Sequence, residues 1–274
     1  MSGKLYVVGT PIGNLEDFSP RAVRILFEVD FIAAEDTRVT LKLLNHFGIR
    51  KPMISYFEHN KFEKGDLILE KLSSGQTAAL VTDAGMPAIS DPGEDLVRMA
   101  RDAGIDVESV PGPTAVTTAL SISGMKTGRF CFEGFLPNET KEKKERLSRL
   151  KGESRTMVFY EAPHRLIKTL KELKDTLGER KVAVCKEITK LHESVMQSGF
   201  EDAIRFYEQN EPKGEYVLIV EGGEENTAKY GFEDAVNMAK SFIKDGMGAT
   251  AAARHAAEIT GHRKNEIYKE LISL

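Results

Sequence analysis

The chain has 274 residues, enough for one large α/β unit or two domains of about 120 residues each. Hydrophobic residues form 41% and charged residues 29%, a balance that excludes wholesale disorder. With 38 Lys and Arg against 42 Asp and Glu, the net charge of -4 excludes a protein that coats nucleic acid by bulk charge, though not one with a local basic face.

In chain order, apolar runs at 5–8, 30–34, 77–82 and 107–111 predict buried strands. Helices are predicted between them. One covers 19–28, where Ser19-Pro20 supplies a cap and a first-turn proline, and one covers 37–47, closed by Gly48. A third spans 60–72 up to the Ser73-Ser74-Gly75 breaker, and a fourth runs from Asp91-Pro92 to Ala103 with Gly104 beyond it. Strands joined by helices of this length imply a mainly parallel sheet with helices on both faces. Pro111-Gly112-Pro113 reads as a hinge. Beyond it a helix at 115–123 leads to strands at 130–133, 156–160, 182–186 and 216–221, with helices at 141–150, 165–177 and 201–209. Segment 191–198 is ambiguous, a strand in a hairpin being the one reading it offers. A linker at 222–226 then leads to helices at 232–244, 249–259 and 264–271. The expected organisation is therefore two α/β domains, residues 1–112 and 113–222, and a helical tail, residues 223–274.

Cys131 and Cys185 cannot build a disulfide framework, which points to a reducing compartment. Six histidines without HxH or HExxH spacing predict no metal site. The N-terminus runs straight into a strand, and no 18-residue apolar stretch occurs, so a cytoplasmic protein without a membrane partner is expected.

Chemistry concentrates where predicted strands end. Gly9-Thr10-Pro11-Ile12-Gly13 follows the first strand, where glycines let backbone approach a ligand, or simply make a tight turn. Residues 83–93 form a Gly/Pro-rich loop opening on Asp83-Ala84-Gly85-Met86, long enough to favour a site over a plain connection. Val110-Pro111-Gly112-Pro113-Thr114-Ala115 is a third such loop, in which Thr114 is also a natural N-cap. Ala34-Glu35-Asp36-Thr37-Arg38 sets carboxylates and a guanidinium at a strand end, with Asp36 either a cap or a reactive group. Phe159-Tyr160-Glu161-Ala162-Pro163-His164-Arg165 does the same in the second half, and Glu187, Lys190 and Glu193 follow another strand.

Taken in order, LYVVGTPIGNLED, AAEDTR, ALVTDAGMPAISDPG, VPGPTAV, FCFEGFLP, FYEAPHR, EITKLHE and KGEYVLIVEG resemble the tetrapyrrole methylase superfamily. Within it they look like the branch of bacterial 16S rRNA 2′-O-ribose methyltransferases. The resemblance implies two α/β domains clasping S-adenosylmethionine, usually in a homodimer, with a cytidine of the decoding region of small-subunit 16S rRNA as substrate. It places Pro11, Asp83, Ala84, Gly85, Met86, Thr114, Ala115, Tyr160, Glu161, Ile188 and Thr189 around the cofactor. Precorrin methylases carry Gly-x-Gly-Pro-Gly and Gly-Asp-Pro in the first two loops. Gly9-Thr10-Pro11 and Thr82-Asp83-Ala84-Gly85 stand here instead, favouring the ribosomal branch. A tetrapyrrole methyltransferase and a non-catalytic ribosome-assembly factor are the competing readings.

Methyl transfer from a sulfonium depends chiefly on alignment, with a modest gain from a base at the ribose hydroxyl. The candidate bases are Asp36, Glu161 and Lys190, and Arg38 and Arg165 are candidate RNA contacts. Residues 139–190 hold 15 basic against 9 acidic side chains, either a phosphate-binding face or a helix surface with i,i+4 pairs such as Glu142-Arg146 and Glu145-Arg149. Residues 250–257 and 261–265 resemble helix–turn–helix spacing, but the tail holds 7 basic against 8 acidic residues, so RNA binding there has little support.

Overall fold

A computed structural model describes residues 3–223 and 231–272. Part of the predicted linker, 224–226, lies outside the described residues. The first unit alternates strand and helix: β1 (Lys4–Val8), a 3-10 turn (Leu15–Asp17), α1 (Pro20–Glu28), β2 (Phe31–Ala34), α2 (Thr37–His46) and β3 (Met53–Ser55), followed by α3 (Lys61–Ser73), β4 (Ala78–Val81), α4 (Gly93–Asp102) and β5 (Asp106–Val110). Its sheet has the order β3-β2-β4-β1-β5, and every pairing is parallel. All five strands therefore point their carboxyl ends at one edge, where open α/β sheets bind ligands. Period-two alternation sorts the core. Val8, Ile32, Ala79 and Val81 pack towards α1 and α2, whereas Leu5, Phe31, Ala78 and Leu80 pack towards α3 and α4. α1 starts where the sequence places it, with the Ser19 hydroxyl accepting from Ala22 N at 3.1 Å ahead of Pro20. β3 was not predicted, because three half-buried edge residues are too few to display a period.

The second unit comprises α5 (Ala115–Ile122), β6 (Phe130–Phe135), α6 (Thr140–Leu150), β7 (Thr156–Glu161), α7 (Leu166–Leu177), β8 (Lys181–Lys186), β9 (Ser194–Gly199), α8 (Phe200–Gln209) and β10 (Tyr216–Val220). Its order is β6-β7-β10-β8-β9. Only β6 and β7 run parallel; the other pairs are antiparallel. Segment 191–198 resolves into the edge strand of a hairpin, with β9 paired to β8 from Lys181↔Gly199 to Lys186↔Ser194. Met157, Phe159, Val184 and Leu218 face α6, α7 and α8, while Val158, Ala183, Val217 and Ile219 face α5. β6 carries a bulge, because the register jumps from Phe132↔Val158 to Gly134↔Phe159.

The tail is a cluster of α9 (Phe232–Lys244), α10 (Ala249–Thr260) and α11 (Lys264–Ile272), closed around Ala235, Ala239, Ala252, Ala253, Ala256 and Ile267. Alanines at the contacts let these short helices approach closely. No helix of the described residues is long and apolar enough to cross a membrane.

Candidate active-site cleft

Three loops interlock at the carboxyl edge of the first sheet. Gly9 N donates to Val110 O at 3.1 Å, and Thr10 and Gly85 exchange backbone hydrogen bonds of 2.9 and 3.2 Å. The Thr10 hydroxyl adds a bond to Thr82 O at 3.1 Å. Gly9 and Gly112 touch backbone to backbone, since a Cβ on Gly112 would stand 2.8 Å from the Gly9 carbonyl oxygen. Both glycines are thus required by close approach. The loop after β8 meets this assembly from the other side, where a Cβ on Gly13 would lie 2.5 Å from Lys190 Cγ.

Between the two units lies a cleft of about 870 Å³. Asp83, Ala84, Gly85, Met86, Thr114 and Ala115 line it from the first unit and its exit into α5, and Tyr160, Glu161 and Ile188 from the second. Pro11 and Thr189 stand outside the lining, although Pro11 adjoins Ile12, which belongs to it. Thr189 N donates to Glu193 Oε2 at 2.6 Å, and its hydroxyl is buried with no hydrogen-bond partner among the described residues.

Sequence reasoning passed over several lining residues, chiefly Glu35, Asp91, Phe132, Phe135 and Glu215. Glu35 was legible as one of two adjacent strand-end carboxylates, but which of the pair faces the cleft depends on tertiary contacts. Glu35 accepts from the Thr82 hydroxyl and from Asp83 N, the latter at 3.3 Å. Asp83 is raised above its ordinary value, first by burial and then by the Glu35 charge. Asp91 is also raised by burial, even though it accepts from Ala88, Ile89 and Gly93 N–H groups. One wall of the cleft is therefore acidic.

Backbone strain gathers here too. Among the described residues, the non-glycine residues at positive φ are Ala88, Ser90, Glu187 and Thr189, at +67°, +69°, +51° and +67°. Two belong to the loop after β4 and two to the loop after β8. Each such conformation costs about 1–3 kcal/mol and persists only where neighbours impose it, as the Asp91 carboxylate does at Ala88 by accepting from its N–H.

The candidate reactive groups are all engaged. Asp36 is the N-cap of α2, accepting from Arg38 N at 2.8 Å and pairing with the Arg38 guanidinium at 2.6 Å. It does not line the cleft, and Arg38 holds its carboxyl down at about 2. Lys190 is clamped by Glu187 at 3.0 Å and Glu215 at 2.8 Å. Burial alone would depress its pKa, but the two carboxylates together raise it, so the ammonium stays charged at neutral pH. Glu161 is fully buried and accepts from the Thr169 hydroxyl, from Ala162 N at 2.8 Å and from Arg165 Nε at 3.2 Å. The Arg38 side chain is 87% exposed and reaches the surface beside its partner. That of Arg165 turns inward, holding Asn138 Oδ1 at 2.7 Å and Leu136 O at 2.6 Å besides Glu161.

The basic stretch is only partly a free face. Arg146 pairs with Glu133 at 3.1 Å rather than with Glu142, and Lys143 pairs with Glu172 at 2.9 Å. Lys141, Lys144 and Lys168 remain exposed.

The Asp36 pair gives a pH signature. Its folded value, about 2, lies below the ordinary 3.8, so its stabilisation is complete above 3.8 and is lost as pH falls towards 2. Asp36→Asn keeps a capping oxygen but removes the charge. Thermal melts between pH 5 and about 2 are expected to fall more steeply for the wild type than for this variant. Parallel curves would show that the pair adds nothing to stability.

Solved structures of other proteins share this fold of two α/β sheets. A uroporphyrin-III C-methyltransferase from Thermus thermophilus, complexed with S-adenosylhomocysteine, matches with a TM-score of 0.56 at 20% identity, over 80% of this chain and 97% of that one. Diphthine synthase matches with a TM-score of 0.59 at 14% identity, over 80% and 90%. The chain belongs to the tetrapyrrole (corrin/porphyrin) methylase family, whose model matches residues 4–204. It is similar to the ribosomal RNA small subunit methyltransferase I of Synechocystis sp., at 44% identity over 99% of this chain and 98% of the relative. The protein of the same name from Thermotoga maritima is 46% identical, and its whole length is matched by 81% of this chain.

Proposed function

We propose that the protein is an S-adenosylmethionine-dependent methyltransferase that methylates the ribose 2′-hydroxyl of a cytidine in the decoding region of 16S rRNA. The observation that carries this reading is the cleft between the two sheets, in a chain whose near-full-length relatives bear the name of a small-subunit rRNA methyltransferase. Its volume suits a nucleoside-sized cofactor with part of a second ligand. The donor set suits the cofactor as well. Glu35 and Asp83 offer acceptors for an ammonium and for ribose hydroxyls, and Ile12, Met86 and Ile188 offer apolar surface for an adenine. Bound there, the cofactor supplies an electrophilic methyl group on a positively charged sulfur.

The protein's own contribution is chiefly orientation, which can supply most of the acceleration of an in-line displacement. Glu161 acts as a positioning residue, joining the cleft floor to Arg165 and Thr169. Asp36 and Lys190 act as charged partners at its margins, and Arg38 offers an exposed guanidinium to RNA phosphates. A cytoplasmic homodimer is part of the same reading.

Incubation with methyl-labelled cofactor and small subunits lacking the modification tests the assignment. Label is expected on a ribose hydroxyl of the 16S rRNA. Label only on a porphyrinoid would make the protein a tetrapyrrole methyltransferase, and no affinity for the cofactor would make it a non-catalytic assembly factor.

A further inference from the structure

We propose that Phe135 is the platform on which the nucleobase of the acceptor nucleotide stacks; this rests on the ribose-methylation reading and extends it to how the RNA is held. The placement begins with the β6 bulge. In a regular strand, residues three apart point to opposite faces of the sheet. The extra residue at Glu133 cancels this, so that Phe132 pairs with Val158 and Phe135 with Tyr160. Val158 and Tyr160 are two apart on β7 and share the cleft-side face, so both phenylalanines join them there. Bulges beside functional sites commonly re-aim a side chain in this way. Gly134 makes the bulge possible with φ +61°, and a Cβ there would come within 3.3 Å of Ser90 Oγ from the strained loop of the first unit.

The three rings form one cluster. Tyr160 lies 4.9 Å from Phe132 in an edge-on contact and 5.5 Å from Phe135 in a tilted one. Phe132 and Tyr160 pack against the core that includes Val158. Phe135 stays 51% exposed while lining the cleft, which leaves a ring face open to a ligand. A ribose hydroxyl inside folded RNA reaches an enzyme cleft only when its nucleotide leaves the stack, and a protein aromatic can replace the stacking then lost. The carboxylates suited to the cofactor, Glu35 and Asp83, belong to the first unit, at the loops beyond its strand ends. Beyond Phe135 the chain enters α6, whose first turns expose Lys141 and Lys144 for the flanking phosphates.

The chain contains no tryptophan, so Phe135→Trp introduces the variant's one tryptophan, excited selectively over the tyrosines, at the platform. Titration with unmodified small subunits is expected to quench it, whereas cofactor alone leaves it unchanged. Phe135→Ala is expected to raise the half-saturating subunit concentration about tenfold, a typical loss for one base–aromatic stack, with cofactor affinity and thermal melt unaltered and with Phe135→Trp restoring the affinity. Quenching by cofactor alone, or an alanine variant that loses cofactor affinity but binds subunits normally, would assign the ring to the cofactor wall and overturn the proposal. So would an alanine variant with unchanged subunit affinity. A wild-type protein that methylates no subunit RNA in the same assay overturns the underlying ribose-methylation reading instead.

Discussion

Replacing Gly112 with alanine is expected to abolish cofactor binding and to lower the thermal midpoint by several degrees. The added Cβ would meet the Gly9 carbonyl oxygen at 2.8 Å and the Gly9 C and Cα atoms at 2.9 Å. These are backbone atoms, so no side chain can swing aside. The loop after β1 must move, and it is also tied to Gly85 by two hydrogen bonds. Overpacking of this kind costs about 1–3 kcal/mol, and each kcal/mol shifts the midpoint of a domain of this size by about 2–4 °C. Binding suffers more than stability, because the displaced segments carry Ile12, Asp83 and Thr114 on one side of the cleft. Calorimetry and a cofactor titration check this. An alanine variant with wild-type values in both would show that the Gly9–Gly112 contact is not what sets the loops.

Glu161→Ala is expected to be the more damaging change to the fold. The carboxylate is fully buried and holds Arg165, whose side chain is only 19% exposed, together with the buried Thr169 hydroxyl. Removing one member of a buried pair costs about 3–5 kcal/mol, mostly through the uncompensated partner. That corresponds to a midpoint lowered by roughly 10 °C. Arg165 also fixes Asn138 and the Leu136 carbonyl, so the segment after Phe135 loosens as well. Glu161→Gln separates positioning from proton transfer. The amide preserves the shape: its oxygen can still accept from Ala162 N and Arg165, and its NH2 can donate to the Thr169 hydroxyl oxygen, but it cannot take a proton. If Glu161 positions, the glutamine variant keeps most single-turnover methylation. If methylation vanishes while the melt is preserved, Glu161 is the base.

Much of the scaffold was legible because it rests on local chemistry. Ser19-Pro20 begins α1, Gly48 and Gly104 follow α2 and α4, and apolar runs of four or five residues form the inner strands. The strand-end loops were legible for a related reason, since glycine and proline in number mark backbone that cannot be regular. What escaped depends on partners distant in sequence. Asp36 and Glu35 are adjacent acids with equal claims on paper. The contacts with Arg38 on one side and Thr82 on the other turn the first into a cap and the second into cleft wall. Arg165, a candidate RNA contact on paper, also serves as a clasp that the sequence does not display, because its acceptors at 136 and 138 sit on a different strand–helix junction. The bulge was hidden as well: FCFEGF alternates plausibly on either face, and only pairing with β7 reveals the slip.

The contrast between an all-parallel and a largely antiparallel sheet leaves the cleft with one pliant side and one stiff side. From the first unit the lining residues, Glu35 and Asp83 to Asp91 among them, lie in loops beyond strand ends. From the second, Phe132, Phe135, Tyr160 and Val217 lie within strands whose neighbouring residues, such as Phe159 and Leu218, are core with no exposure at all. A substitution on the first side alters a loop; one at a packed strand residue of the second, such as Val217 or Tyr160, disturbs a sheet. Sequence change that retunes what the cleft accepts can therefore accumulate on the loops at small cost to stability, while the aromatic floor is held in place by the same packing that keeps the protein folded.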